Sequence, residues 1–406
     1  MSDLPTHSAP PARFGWIRPW WFLAGFALGL AGLAYSGWKI SGTDYHPGFV
    51  RFHSMISPEG SYYPTLDEMC AIVRAKCRPD QVLVIVGGNS ILLGVWQKAP
   101  DLWSVRLQQV LGDKYCVVNF AYRGASPADG GAVVAEVLRK EFPKQILIVN
   151  EGVVTGVESV PHGPYRYIFW QAYDSGKLMH YPERDARVEE YRNSSPAARN
   201  ELAETRISVW FDEMLHYHDL WNWVTMEYFG TIPSYKEPYF PLFLKAHGTY
   251  DDPEVDGTDP KFADSHYPLS TIDVEMRIVK GPSLYYTKGA DGHWNIADLT
   301  LQDLSGRFGE AFAPELKPRT LVLVSGSSPY YTSRLSPDDR NMVYQAGQDT
   351  LAIWRASGYT AVDYGWDFEP ADFGDRTHLT KFGGWKLAAK VAPQITEMAE
   401  RLGYLK

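Results

Sequence analysis

No stretch of the 406-residue chain gathers lysine and arginine into a basic run, and the net charge is -9 with a pI near 5.7. Polyanions are bound by clustered cations, so nucleic acid is not an expected partner. Cysteine is scarce: Cys70, Cys77 and Cys116 make an odd count, and any disulfide leaves one thiol over. On a helix over 65–77 the first two stand about 10 Å apart along the axis, too far for a bridge, whereas Cys77 with Cys116 stays open. There is no internal repeat. Metal-binding patterns are also missing. The acidic stretch 252–257 begins like a calcium loop, but its twelfth position is Ala263 instead of the bidentate glutamate. His216 and His218 are two residues apart and diverge on a helix. Neither a metal nor another cofactor is expected.

What is present is a globular composition, 45% hydrophobic and 21% charged, enough for a substantial core. Aromatic residues are plentiful, with 14 Trp and 25 Tyr, and many lie between positions 160 and 290. Packing within an irregular insertion accounts for them more simply than a sugar- or lipid-contact surface.

One long apolar run occurs, over 19–38, without a charged residue. At about 1.5 Å per residue its twenty positions reach roughly 30 Å, the thickness of a bilayer core. Arg13 and Arg18 precede it, Trp16, Trp20 and Trp21 mark one end, and Tyr35 and Trp38 the other. The positive flank predicts a cytoplasmic tail over 1–18 and everything after Trp38 outside the cytoplasm, periplasmic in a Gram-negative cell. A cleaved signal peptide ending near Gly32-Leu33-Ala34 is the competing reading; the length of the run and its aromatic ends favour a retained anchor.

Residues 39–62 read as an extended linker. Beyond them the pattern predicts a helix over 65–77, a strand over 81–86, a helix over 102–111, a strand over 116–120, a helix over 131–141 and a strand over 145–149. It breaks near Gly156 and returns at Arg319 with strands over 320–324 and 360–364 and helices over 338–357 and 381–402. Short apolar strands alternating with helices indicate an α/β fold, a parallel sheet covered on both faces. The domain therefore comprises 63–156 and 319–406, interrupted by an insertion over 157–318. That length exceeds an ordinary connection, and a lid over the sheet edge is the expected arrangement.

Two places carry chemistry. The run Val82-Leu83-Val84-Ile85-Val86 stops on Gly87-Gly88-Asn89-Ser90, which offers a hydroxyl where a strand meets a helix. Far downstream, Asp375-Arg376-Thr377-His378 precedes the last helix. A serine hydroxyl needs a base, and the base works best when a carboxylate fixes its tautomer. Three residues of separation let Asp375 fold back onto one ring nitrogen of His378 while the other faces Ser90. Asp367, Glu369 and Asp372 are nearby alternatives to Asp375. The stretch after Ser90 lacks the second glycine of a nucleophile elbow, which argues against the α/β-hydrolase fold.

With these residues the chain resembles the SGNH (GDSL-like) hydrolase family. The first block, Gly-Asp-Ser, is matched by Gly88-Asn89-Ser90, the second-block glycine by Gly124, and the fifth block, Asp-x-x-His, by Asp375 to His378. The resemblance implies an SGNH or flavodoxin-like three-layer architecture, Ser90 as nucleophile, His378 as base, Asp375 as its partner, and an oxyanion held by the amides of Ser90 and Gly124. Arg123, beside Gly124, is a candidate for an anionic substrate group. The third block departs: aligned on Gly152, its asparagine position is Val154, and Asn150 can substitute in the oxyanion site only if the strand ends earlier. Two functions follow as expectations. One is a membrane-anchored serine esterase or acyl transferase, an acetyl transferase for instance, acting on an acylated carbohydrate or lipid of the cell envelope. The other, motivated by the third block, is a non-catalytic binding or assembly protein with envelope protein partners.

Overall fold

A computed structural model of the chain describes residues 19–41, 49, 51, 65–122, 124–151, 166–216, 220, 286–288, 290, 294–296, 310–333 and 335–405. Helix α1 (Pro19–Ser41) is the apolar run, and it continues three residues past the expected boundary. It is long and apolar enough to cross a membrane, and almost all of it is exposed.

The central sheet contains five parallel strands in the order β2-β1-β3-β6-β7, namely β1 (Val82–Val86), β2 (Tyr115–Asn119), β3 (Gln145–Glu151), β6 (Thr320–Ser325) and β7 (Thr360–Tyr364). A separate two-stranded ribbon pairs β4 (Tyr286–Lys288) with β5 (Trp294–Ile296). All five residues of β1 are buried, which is why they read as an unbroken apolar run instead of an alternating one.

Two apolar cores, one on each face of the sheet, account for the covering helices. Leu83 and Ile85 point to the face covered by α2 (Leu66–Lys76) and α5 (Gly131–Val137). Val82, Val84 and Val86 point to the other, where α4 (Trp103–Leu111) lies against the last helix, Lys381–Arg401. Leu351, Ile353 and Trp354 of the helix Pro337–Ala356 join the first core. Helices thus flank the sheet on both faces, as the alternation of strands and helices predicts.

Element ends follow local chemistry. Thr65 begins α2 with a reciprocal capping box: its hydroxyl accepts from the Glu68 amide, and the Glu68 carboxylate accepts from the Thr65 amide. Cys77 ends α2 and is bonded to Cys116 on β2, with Cα atoms 5.6 Å apart. Cys70 is free and buried, and burial pushes its thiol up to about 12.

The 39–62 stretch is more than a linker, because Phe49 and Arg51 are both buried in the body. The described part of the insertion packs on the body. Among its helices α6 (Arg166–Asp174), α7 (Pro182–Ser194) and α8 (Pro196–Leu215), α6 touches α2 and α5 and α8 packs on both α6 and α7, and Ile168, Trp170, Val188 and Leu202 join the first core. The physical reason is a buried clamp: Arg184 on α7 donates two hydrogen bonds, 2.7 and 2.8 Å, to the Glu136 carboxylate on α5. The aromatic-rich stretch 221–285 and the acidic segment 252–257 lie outside the described residues.

Candidate active site

The chain turns from β1 into a one-turn helix, α3 (Ser90–Leu93), at the carboxyl end of the sheet. The connection after β1 runs to β2 on one side, whereas β3, on the other side of β1, is followed in the sheet by β6 on the far side, so Ser90 stands at the switch point where parallel sheets open a crevice. Gly88 has φ +87°, and a Cβ there would stand 2.3 Å from Asn150 Oδ1. Only glycine fits that turn. Behind it, Gly131 opens α5 so close to β1 that a Cβ would lie 2.6 Å from the Gly87 Cα.

Asn89 caps α3, its Oδ1 accepting from the Ile91 amide at 3.0 Å. It also ties β1 to β3: the Asn89 amide donates to Asn150 Oδ1 at 3.0 Å, and Asn150 Nδ2 donates back to Asn89 Oδ1 at 2.9 Å. Asn89 therefore supports the turn that presents Ser90.

His378 Nε2 lies 2.8 Å from Ser90 Oγ, and His378 Nδ1 lies 2.7 Å from Asp375 Oδ2. The same carboxylate accepts backbone hydrogen bonds from Thr377 at 2.9 Å and His378 at 2.8 Å. Trp96 Nε1 donates to Oδ2 at 2.6 Å. Burial opposes ionisation of Asp375, but the His378 charge and hydrogen bonds and the Trp96 donor outweigh it and hold the carboxyl at about 2. An ionised Asp375 assigns the ring proton to Nδ1, leaving Nε2 to accept from the Ser90 hydroxyl. The Asp375 side chain is 1% exposed and that of His378 15%, so the ring reaches solvent while its partner does not.

The three alternative carboxylates are placed elsewhere. Asp367 bonds Lys390, and Asp372 bonds Lys386 while capping the turn begun by Glu369.

The two other oxyanion candidates part company. Gly124 is exposed on the loop after β2, and Tyr122 two residues before it donates from its amide to the Gly88 carbonyl at 3.1 Å, which holds that loop beside the serine turn. Asn150 is buried, and β3 continues through Glu151, so the strand does not end early enough to free it. Its amide group is engaged by Asn89. Asn150 thus supports the serine turn through Asn89, which uses its Oδ1 and one of its two amide hydrogens. Gly152, Val154 and Arg123 lie outside the described residues.

Sequence reasoning missed four supports. Besides Trp96, the buried Arg51 guanidinium donates to the carbonyls of Leu93 (3.1 Å), Gly94 (2.6 Å) and Gln97 (2.7 Å), closing the open end of α3. Gln97 accepts from the Trp103 amide at 2.8 Å and donates to the Leu379 carbonyl at 3.1 Å, linking the serine loop to the histidine loop. Phe373 and Leu379 form a bridge that pins both ends of the Asp375–His378 turn. No family model matches the chain, and neither the curated proteins nor the solved structures contain a match to it.

Proposed function

We propose that the protein is a serine ester hydrolase or O-acyltransferase of SGNH type. The carrying observation is the continuous relay Asp375 Oδ2, His378 Nδ1, His378 Nε2, Ser90 Oγ, with both links under 3 Å. In this reading Ser90 Oγ attacks an ester carbonyl, His378 Nε2 takes the hydroxyl proton, and Asp375 stabilises the imidazolium. The proton then passes to the departing alcohol, leaving an acyl group on Ser90. Water or a sugar hydroxyl, deprotonated by His378, releases that group. The amides of Ser90 and Gly124 are the donors assigned to the oxyanion.

The same reading makes α1 a single-pass anchor with its amino terminus in the cytoplasm and the α/β body outside. The Arg13 and Arg18 flank supports this orientation, and the Cys77–Cys116 bond suits an oxidising compartment. The substrate class, an acylated envelope carbohydrate or lipid, rests on the family resemblance.

A fluorophosphonate probe tests the proposal. Labelling of the wild-type chain that is absent from Ser90→Ala supports it; folded wild-type protein that takes no label sinks it. The engagement of Asn150 by Asn89 favours a second reading, a non-catalytic anchored binding or assembly protein, and absence of labelling is its expected result.

A further inference from the structure

Helix α8 carries apolar side chains on two opposite faces. Ala198, Leu202, Thr205 and Val209 are buried against the body. Ile207, Trp210, Phe211 and Met214 follow the spacing of one helical stripe on the other side and are 58, 54, 47 and 55% exposed. Water does not stabilise such a stripe, and two adjacent large aromatics make it an interaction surface. Its position identifies the occupant. The carboxyl end of α8 abuts α1 near that helix's outer end: a Cβ on Gly37 would stand 2.3 Å from the Leu215 carbonyl oxygen. Beside Gly37, Trp38 and Tyr35 are exposed, residues of the kind that settle at a membrane interface. The stripe begins within one residue of this junction, at Met214, and at 1.5 Å per residue runs about 10 Å back along α8.

We propose that the Ile207–Trp210–Phe211–Met214 face of α8 lies in the outer surface of the bilayer that α1 crosses, seating the body on the membrane. This rests on the reading of α1 as an anchor. The attraction is apolar insertion of the interfacial kind, to a depth of about 5–10 Å. Electrostatics contributes little: the sequence of the helix has two arginines and four acidic residues, and Arg206 is bound to Asp174. Zwitterionic lipid therefore suffices as the partner.

The test uses the full chain in phosphatidylcholine nanodiscs, spin-labelled in turn at Ile207→Cys, Met214→Cys, Leu28→Cys in α1 and the exposed Val110→Cys on α4. Cys70 is buried and does not compete for label. The expected result is several-fold greater collision with oxygen relative to a water-soluble nickel chelate at 207 and 214 than at 110. Labels at 207 and 214 that behave like 110, while the one at 28 reports lipid, overturn the proposal and leave the anchor standing. Labels shielded from both relaxants, in nanodiscs and in detergent alike, show that protein covers the stripe, and overturn it too. A water-exposed label at 28 refutes the anchor reading and this proposal with it.

Discussion

Replacing Trp96 by phenylalanine removes one donor from the Asp375 carboxylate and leaves the ring. The lost bond is 2.6 Å long and charge-assisted, to an acceptor that is 1% exposed, so solvent cannot replace it. Bonds to charged groups contribute about 1.5–3 kcal/mol, which corresponds to a rise of about one to two units in the Asp375 pKa. The wild-type value of about 2 would move much or all of the way back to the ordinary 3.8. Because the folded pKa is depressed, the associated stability is present above the unfolded value and is lost as pH falls towards about 2. Trp96→Phe should therefore be less stable than wild type by about 2 kcal/mol at pH 7, with the gap closing in acid. Denaturant unfolding over a pH series measures this. Fluorophosphonate labelling should also slow roughly tenfold, equivalent to about 1.4 kcal/mol, because Asp375 orients the base. A cycle with Asp375→Ala isolates the pair. A coupling energy within about 0.5 kcal/mol of zero refutes the assignment of Trp96 as a positioning residue.

Asp129 shows the opposite sign: burial raises its carboxyl to about 6 against one bond from the Ser126 amide at 2.7 Å. A raised carboxyl pKa lowers stability as pH climbs from 3.8 through 6, so Asp129→Asn should gain up to about 3 kcal/mol at pH 7 and little at pH 4, read by thermal unfolding at both. Glu136→Gln leaves Arg184 buried beside a neutral amide and should cost about 3–5 kcal/mol, measured by denaturant unfolding. Reducing Cys77–Cys116, which closes 39 residues, should cost about 4 kcal/mol on the chain-entropy scale, seen as a lower denaturant midpoint with reductant.

The strands were legible because a parallel sheet buries both faces, and an apolar run such as 82–86 has few other uses. The Asp375–His378 pair was legible because both residues share one turn, and the sheet order explains how Ser90 reaches them. Trp96 was not, since its partner lies 279 residues away and a lone tryptophan gives no periodic signal. Arg51 was hidden for a related reason: a stretch whose sequence shows no periodic pattern reads as linker even when one side chain closes a helix end. Asn150 was legible as a polar residue at a strand end, but its role depends on where β3 stops, and pairing with β6 carries the strand through Glu151.

The Cys77–Cys116 bond has a topological consequence. With the backbone between them it forms a covalent ring containing β1, Ser90, Trp96 and α4. A single cut in that ring, for example after Lys98, opens the backbone without separating the two polypeptides it creates. The severed halves part only when the bond is reduced and the pairing of β1 with β2 and β3 is also broken by denaturation, so a nick beside the site need not release the serine from its base.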